Sequence, residues 1–142
     1  MSRNTKRVLF VCVRNAGRSQ MAAAIFNALV RQRGLDWVAE SAGTEPADRV
    51  QPEVVAAMAE VGIDLSDARP RAITDEQVAA AARVITMGCE LEANSCPAIL
   101  LKNVEDWGLP DPRGRPLAEV RTIREEIRRR VEALLDELTK QS

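Results

Sequence analysis

Three side chains of complementary chemistry crowd into the run Cys12-Val13-Arg14-Asn15-Ala16-Gly17-Arg18-Ser19. A cysteine closes an apolar stretch, five residues intervene, and an arginine precedes a serine where a helical pattern begins. Such a loop can turn successive backbone N–H groups inward, making a nest for a tetrahedral oxyanion. The positive end of the following helix points into the same space. Val13, Arg14, Asn15, Ala16, Gly17, Arg18 and Ser19 are therefore the candidate oxyanion-binding residues. Arg18 can clamp two oxygens with its planar fork. The same field favours an anionic sulfur on Cys12, to which the Ser19 hydroxyl can donate. The pattern describes a nucleophile beneath a bound oxyanion; the plainer alternative is a small buried cysteine at a strand end. It is not a nucleotide phosphate loop, because G-x-x-x-x-G-K-[ST] is missing.

The sequence contains no histidine, which removes Ser-His and Cys-His dyads and His-ligated metals. Any general acid or base must be Asp, Glu, Cys or Lys. Asp111 is the candidate acid: it precedes Pro112, whose ring restricts the Asp111 backbone to extended conformations. A carboxylic acid so placed can protonate a poor leaving oxygen. The alternative is a turn-capping role within Leu109-Pro110-Asp111-Pro112-Arg113-Gly114. Three cysteines are too few and too odd in number for a disulfide framework, so Cys89 and Cys96 are read as redox partners or as inert thiols. A zinc site would need an Asp or Glu as its fourth ligand.

Twenty Lys+Arg against 21 Asp+Glu give a net charge of −1, which points to neither nucleic acid nor membrane. With no tyrosine and 3% aromatic residues, base-stacking platforms are not expected. No apolar run approaches the roughly 18 residues of a membrane span, and the polar start Met1–Arg7 does not read as a signal peptide. The expected location is the cytoplasm.

The elements that must position these residues alternate. Arg7–Val11 reads as a strand buried on both faces, Ser19–Arg33 as a helix stopped at Gly34, and Trp37–Ala42 as a strand ending at Gly43. Pro52 opens a helix closed by Gly62, and Thr74 with Gln77 resembles a capping box. Arg83–Met87 and Ala98–Leu101 complete four strands. A final helix over Leu117–Leu138 sets Val120, Ile123, Ile127, Val131, Leu134 and Leu138 on one stripe. The order predicts one α/β domain over residues 1–142, three-layered, with a central four-stranded parallel sheet. The turns after Val11, Ala42 and Met87 should share one rim, where ligands bind in such sheets. Trp107 is expected in packing. The arginines from Arg121 to Arg130, interleaved with Glu125 and Glu126, are expected on a solvated face.

C-x5-R-S followed by Gln20-Met21-Ala22 resembles the low-molecular-weight protein tyrosine phosphatases and their arsenate reductase branch. The resemblance extends through Glu40-Ser41-Ala42-Gly43, Ile85-Thr86-Met87, Glu105-Asp106-Trp107 and Asp111-Pro112, nearly the whole chain. It implies that family's fold, Cys12 as nucleophile and Asp111 as general acid. Cys89 and Cys96 have the spacing of the extra cysteines in thioredoxin-coupled arsenate reductases. By that resemblance Cys12 forms the arseno-adduct, Cys89 attacks Cys12 and releases arsenite, and Cys96 then attacks Cys89, leaving a disulfide for thioredoxin. The implied partners are arsenate, with phosphate or sulfate as analogues, and thioredoxin. No cofactor and no metal are expected, and the chain is expected to be a monomer. Ala23 stands where such relatives often carry a glutamate of a monovalent-cation site, although Asn15 and Ser41 remain. Arg113 and Gly114 follow Asp-Pro where the phosphatases have aromatic residues. Two alternatives stay open: a small phosphatase acting on phosphomonoesters, and a non-catalytic, redox-responsive oxyanion-binding module.

Overall fold

The computed structural model describes residues 5–87 and 105–140. Cys89, Cys96 and the predicted strand Ala98–Leu101 lie outside the described residues. Among the described residues the order is β1 (Lys6–Cys12), α1 (Arg18–Arg33), β2 (Trp37–Gly43), α2 (Pro52–Ala59), α3 (Asp75–Ala80), β3 (Arg83–Thr86), β4 (Glu105–Asp106) and α4 (Leu117–Lys140).

The four strands form one parallel sheet in the order β2-β1-β3-β4. All of β1 pairs with β2, from Lys6 opposite Trp37 to Cys12 opposite Gly43, while Val8–Val11 pair with Arg83–Thr86 on the other side. A strand covered on both edges and both faces has no polar side to show, which is why Val8-Leu9-Phe10-Val11 is unbroken apolar sequence. Glu105 and Asp106 pair with Ile85 and Thr86, adding an edge strand that no apolar run announces.

Helices cover both faces, as the alternating order predicts. On one face Val8, Phe10 and Ile85 pack under α1, α2 and α4; on the other, Leu9, Val11 and Ala42 meet Ile73, Val78 and Ala81 around α3. Each large side chain so buried contributes about 1.5–3 kcal/mol against the unfolded chain. The predicted stripe of α4 is buried in full, joined by Leu135. Thr74 and Gln77 close a reciprocal capping box on α3, both bonds at 3.1 Å. Trp107 packs against Phe10 with ring centroids 5.6 Å apart.

One surface expectation needs correction. Arg124 is not on a solvated face: its side chain is only 11% exposed, and Nη1 donates to Ala57 O (2.8 Å) and Glu60 Oε1 (2.9 Å). With Arg121, which grips both Glu60 oxygens, it ties α4 to the end of α2. Arg129 and Arg130 pair with Glu126 on the outer face.

Candidate active site

Cys12 is the last residue of β1, and residues 13–17 bridge it to α1. Three carbonyls of this loop are drawn outward: Val13 O accepts from Glu45 N (2.8 Å), Arg14 O from Ala47 N (2.9 Å) and Ala16 O from Gln51 N (2.9 Å). In a planar trans peptide the N–H points opposite the carbonyl, so the N–H groups of Arg14, Asn15 and Gly17 turn to the inner side. The Asn15 N–H meets Cys12 Sγ there at 3.2 Å. No acidic residue occupies the first turn of α1, leaving the positive helix end uncompensated by a side chain of its own.

The second contact to the sulfur is Ser19 Oγ at 2.9 Å. The direction of its proton follows from the neighbours. The Arg71 N–H can only donate, and it reaches Asn15 Oδ1 at 2.8 Å. That fixes the Asn15 amide so that its Nδ2 donates to Ser19 Oγ at 2.7 Å. Already accepting, the hydroxyl has its proton to give to Sγ. Gln20 Nε2 bonds the same asparagine at O (3.0 Å) and Oδ1 (3.2 Å). Asn15 sits at φ 51°, a left-handed conformation that asparagine tolerates better than most residues.

Gly43 lets β2 end against this loop. A Cβ there would lie 2.7 Å from Val13 O and 2.9 Å from the Asn15 Cβ, so any side chain would force the loop away. Its N–H donates to Arg71 O and its carbonyl accepts from Ile73 N, which brings residues 71–73 to the same rim.

Arg18 is 4% exposed. Its Nη1 donates to Met87 O (2.6 Å) and Leu109 O (2.9 Å), which fixes the plane of the guanidinium. The arginine expected to clamp an oxyanion thus also ties the cradle to two chain segments, one ending two residues before Cys89 and one two residues before Asp111. Asp111 is half-buried; its Oδ1 accepts from Arg113 N (3.0 Å) and its carbonyl from Arg115 Nε (2.6 Å). Pro112 is buried against Gly17.

Cys12, Asn15, Arg18 and Ser19 are therefore brought together in one buried cluster, with the Asp111 loop docked on its edge. Arg14 is exposed, while Val13, Ala16 and Gly17 are buried backbone donors or spacers. Sequence reasoning had Asn15 as a loop donor and a remnant of a cation site, and Gln20 and Gly43 as parts of family motifs; it missed the hydrogen bonds of the Asn15 side chain, the packing role of Gly43 and the Arg71 backbone. An asparagine inside a tight loop was the available signal. Among the described residues no group of three or more His, Cys, Asp or Glu could hold a metal ion, and no helix is long and apolar enough to cross a membrane.

Over residues 7–142 the chain matches the family described as low molecular weight phosphotyrosine protein phosphatase. A Halobacterium salinarum protein provisionally named an arsenate reductase is 42% identical over 139 residues, 94% of each chain. Among solved structures, an arsenate reductase in the phosphate binding state has a TM-score of 0.78 at 36% identity, covering 93% of this chain and 98% of that one. A Corynebacterium glutamicum thioredoxin-dependent arsenate reductase has a TM-score of 0.75 at 36% identity, covering 96% of this chain and 63% of its own.

Proposed function

The chain belongs to the low molecular weight phosphotyrosine protein phosphatase family, and from that premise we propose that it reduces arsenate to arsenite with thioredoxin as the electron source. The observation that carries the reading is Cys12 Sγ held by the Asn15 N–H and Ser19 Oγ inside a ring of inward N–H groups. Similarity to arsenate reductases over nine-tenths of the chain supports arsenate as the oxyanion.

Arsenate binds the N–H groups of residues 13–19 and Arg18. Cys12 attacks arsenic, an As–S bond forms, and one As–O bond breaks as Asp111 protonates the leaving oxygen. Cys89 then attacks Cys12 Sγ. The S–S bond forms, the S–As bond breaks, and its electron pair stays on arsenic, which leaves as arsenite. Cys96 attacks Cys89, returning Cys12 to its anionic form and leaving a Cys89–Cys96 disulfide for thioredoxin. No cofactor or metal enters these steps. A relay re-reduced by thioredoxin belongs in a reducing compartment, so the proposed location is the cytoplasm, with the chain acting as a monomer.

The family description favours a second reading, since Cys12, Arg18 and Asp111 could equally hydrolyse a phosphomonoester with water as the second nucleophile. One assay separates the two. With thioredoxin, its reductase and NADPH, arsenate should drive NADPH oxidation with matching arsenite, and Cys89→Ser or Cys96→Ser should stop turnover. Phosphomonoester hydrolysis indifferent to both substitutions, with no arsenite formed, would overturn the reductase.

A further inference from the structure

We propose that Gly17 is a positioning residue for Asp111: carrying no side chain, it lets the Pro112 ring seat on the cradle and so sets how closely the Asp111 carboxyl approaches the bound oxyanion. The inference rests on Asp111 as the proton donor of the reaction proposed above. A Cβ on residue 17 would lie 2.8 Å from Pro112 Cγ, closer than real Cβ contacts come, and 3.4 Å from Cδ, an ordinary contact. Gln51 Nε2 stands at 3.3 Å from the same point and limits escape in another direction.

The cradle side of this contact cannot yield easily. Gly17 O accepts from Met21 N at 3.0 Å, and its neighbour Ala16 O from Gln51 N at 2.9 Å. Arg18 is fixed by two carbonyls. The Pro112 ring is no flexible side-chain end either. It is bonded into a segment held at Leu109 O by Arg18 and leading at Pro116 into α4, where Pro116 O accepts from Glu119 N at 2.9 Å. The slack lies between those anchors, at Asp111, Pro112 and Arg113. Because the ring restricts the Asp111 backbone, pushing the ring outward carries the carboxyl with it. A misplacement of about 1 Å can cost on the order of 100-fold in rate.

The test is Gly17→Ala, alone and combined. Single-turnover arsenite release should fall about 10–100-fold, with inorganic phosphate affinity by calorimetry kept within about twofold. The loss should vanish in an Asp111→Asn background, where there is no acid left to misplace, and shrink in a Pro112→Ala background, where the ring is gone. A loss undiminished by Asp111→Asn, or phosphate binding that falls in step with the rate, would overturn the role. Absence of arsenite from the unsubstituted protein would instead sink the reductase reading. The Gly17→Ala crystal structure then decides this inference: an outward-shifted Pro112 supports it, and an unmoved loop ends it.

Discussion

The loop at residues 12–19 and the loop at residues 109–116 face the same chemistry with opposite construction. In the first, Asn15 and Ser19 are fully buried, Cys12 and Arg18 are 4% exposed, and polar atoms are bonded to segments from across the fold. In the second, Arg113, Gly114 and Arg115 are exposed, and among the described residues Asp111 is bonded only to those two and four positions on. An oxyanion site needs donors whose places are settled before the ligand arrives, since reorganising them would consume binding energy. A proton donor has the different task of reaching a departing oxygen. Substitutions in the cradle should therefore disturb chemistry and stability together, whereas those in the Asp111 loop should disturb chemistry alone.

The largest effect tests the cradle. Cys12→Ser should abolish arsenite formation while phosphate still binds, measured by arsenite assay and calorimetry; residual turnover would remove Cys12 from its role. Next, Asp111→Asn should slow the chemical step about 100–10,000-fold, with urea unfolding unchanged within about 0.5 kcal/mol. A marked loss of stability there would break the contrast between the two loops. Asn15→Ala should do what Asp111→Asn does not. It leaves the Arg71 N–H without its acceptor and frees the Ser19 proton from its fixed direction. An unfolding penalty of about 2 kcal/mol is expected, together with slower alkylation of Cys12 by iodoacetamide.

The smallest effect lies away from both loops and serves as their control. The guanidinium groups of Arg121 and Arg124 beside Glu60 hold its carboxyl at about 2, against an ordinary 4.5. A carboxyl depressed in the folded state stabilises fully above its unfolded value and loses that contribution as pH falls towards the folded one. The Glu60 contribution should therefore be present above pH 4.5 and fade between pH 4.5 and about 2. Glu60→Gln should weaken the fold slightly at neutral pH, converge with the parent in acid, and leave arsenite release untouched. Divergence in acid would show that the ion pair does not link α2 to α4 as described.

The sequence was most readable where one side chain does one job. The unbroken apolar run of β1, the stripe of α4 and the capping box of α3 each follow from local periodicity or a local hydrogen bond, and each appears within a residue or two of its expected place. β4 was not readable, because Glu105 and Asp106 owe their strand conformation to Ile85 and Thr86 beside them. Arg124 was misread for a related reason: a charge run gives no hint that one of its arginines faces Glu60 on another helix. At the candidate site, Cys12, Arg18 and Ser19 follow from spacing. The Asn15 side chain does not, because its partner is a backbone N–H 56 positions away.

That last separation has a bearing on how the protein comes to be. Cys12 and Ser19 are near neighbours in sequence, yet what settles the geometry between them is distant: Asn15 with residue 71, Arg18 with residues 87 and 109. Contacts of such long range cost loop-closure entropy before they give anything back. Without the docked segments, the Cys12 sulfur has no settled donor. If Cys12 is the nucleophile proposed above, its donors are in place only once the remote segments have docked.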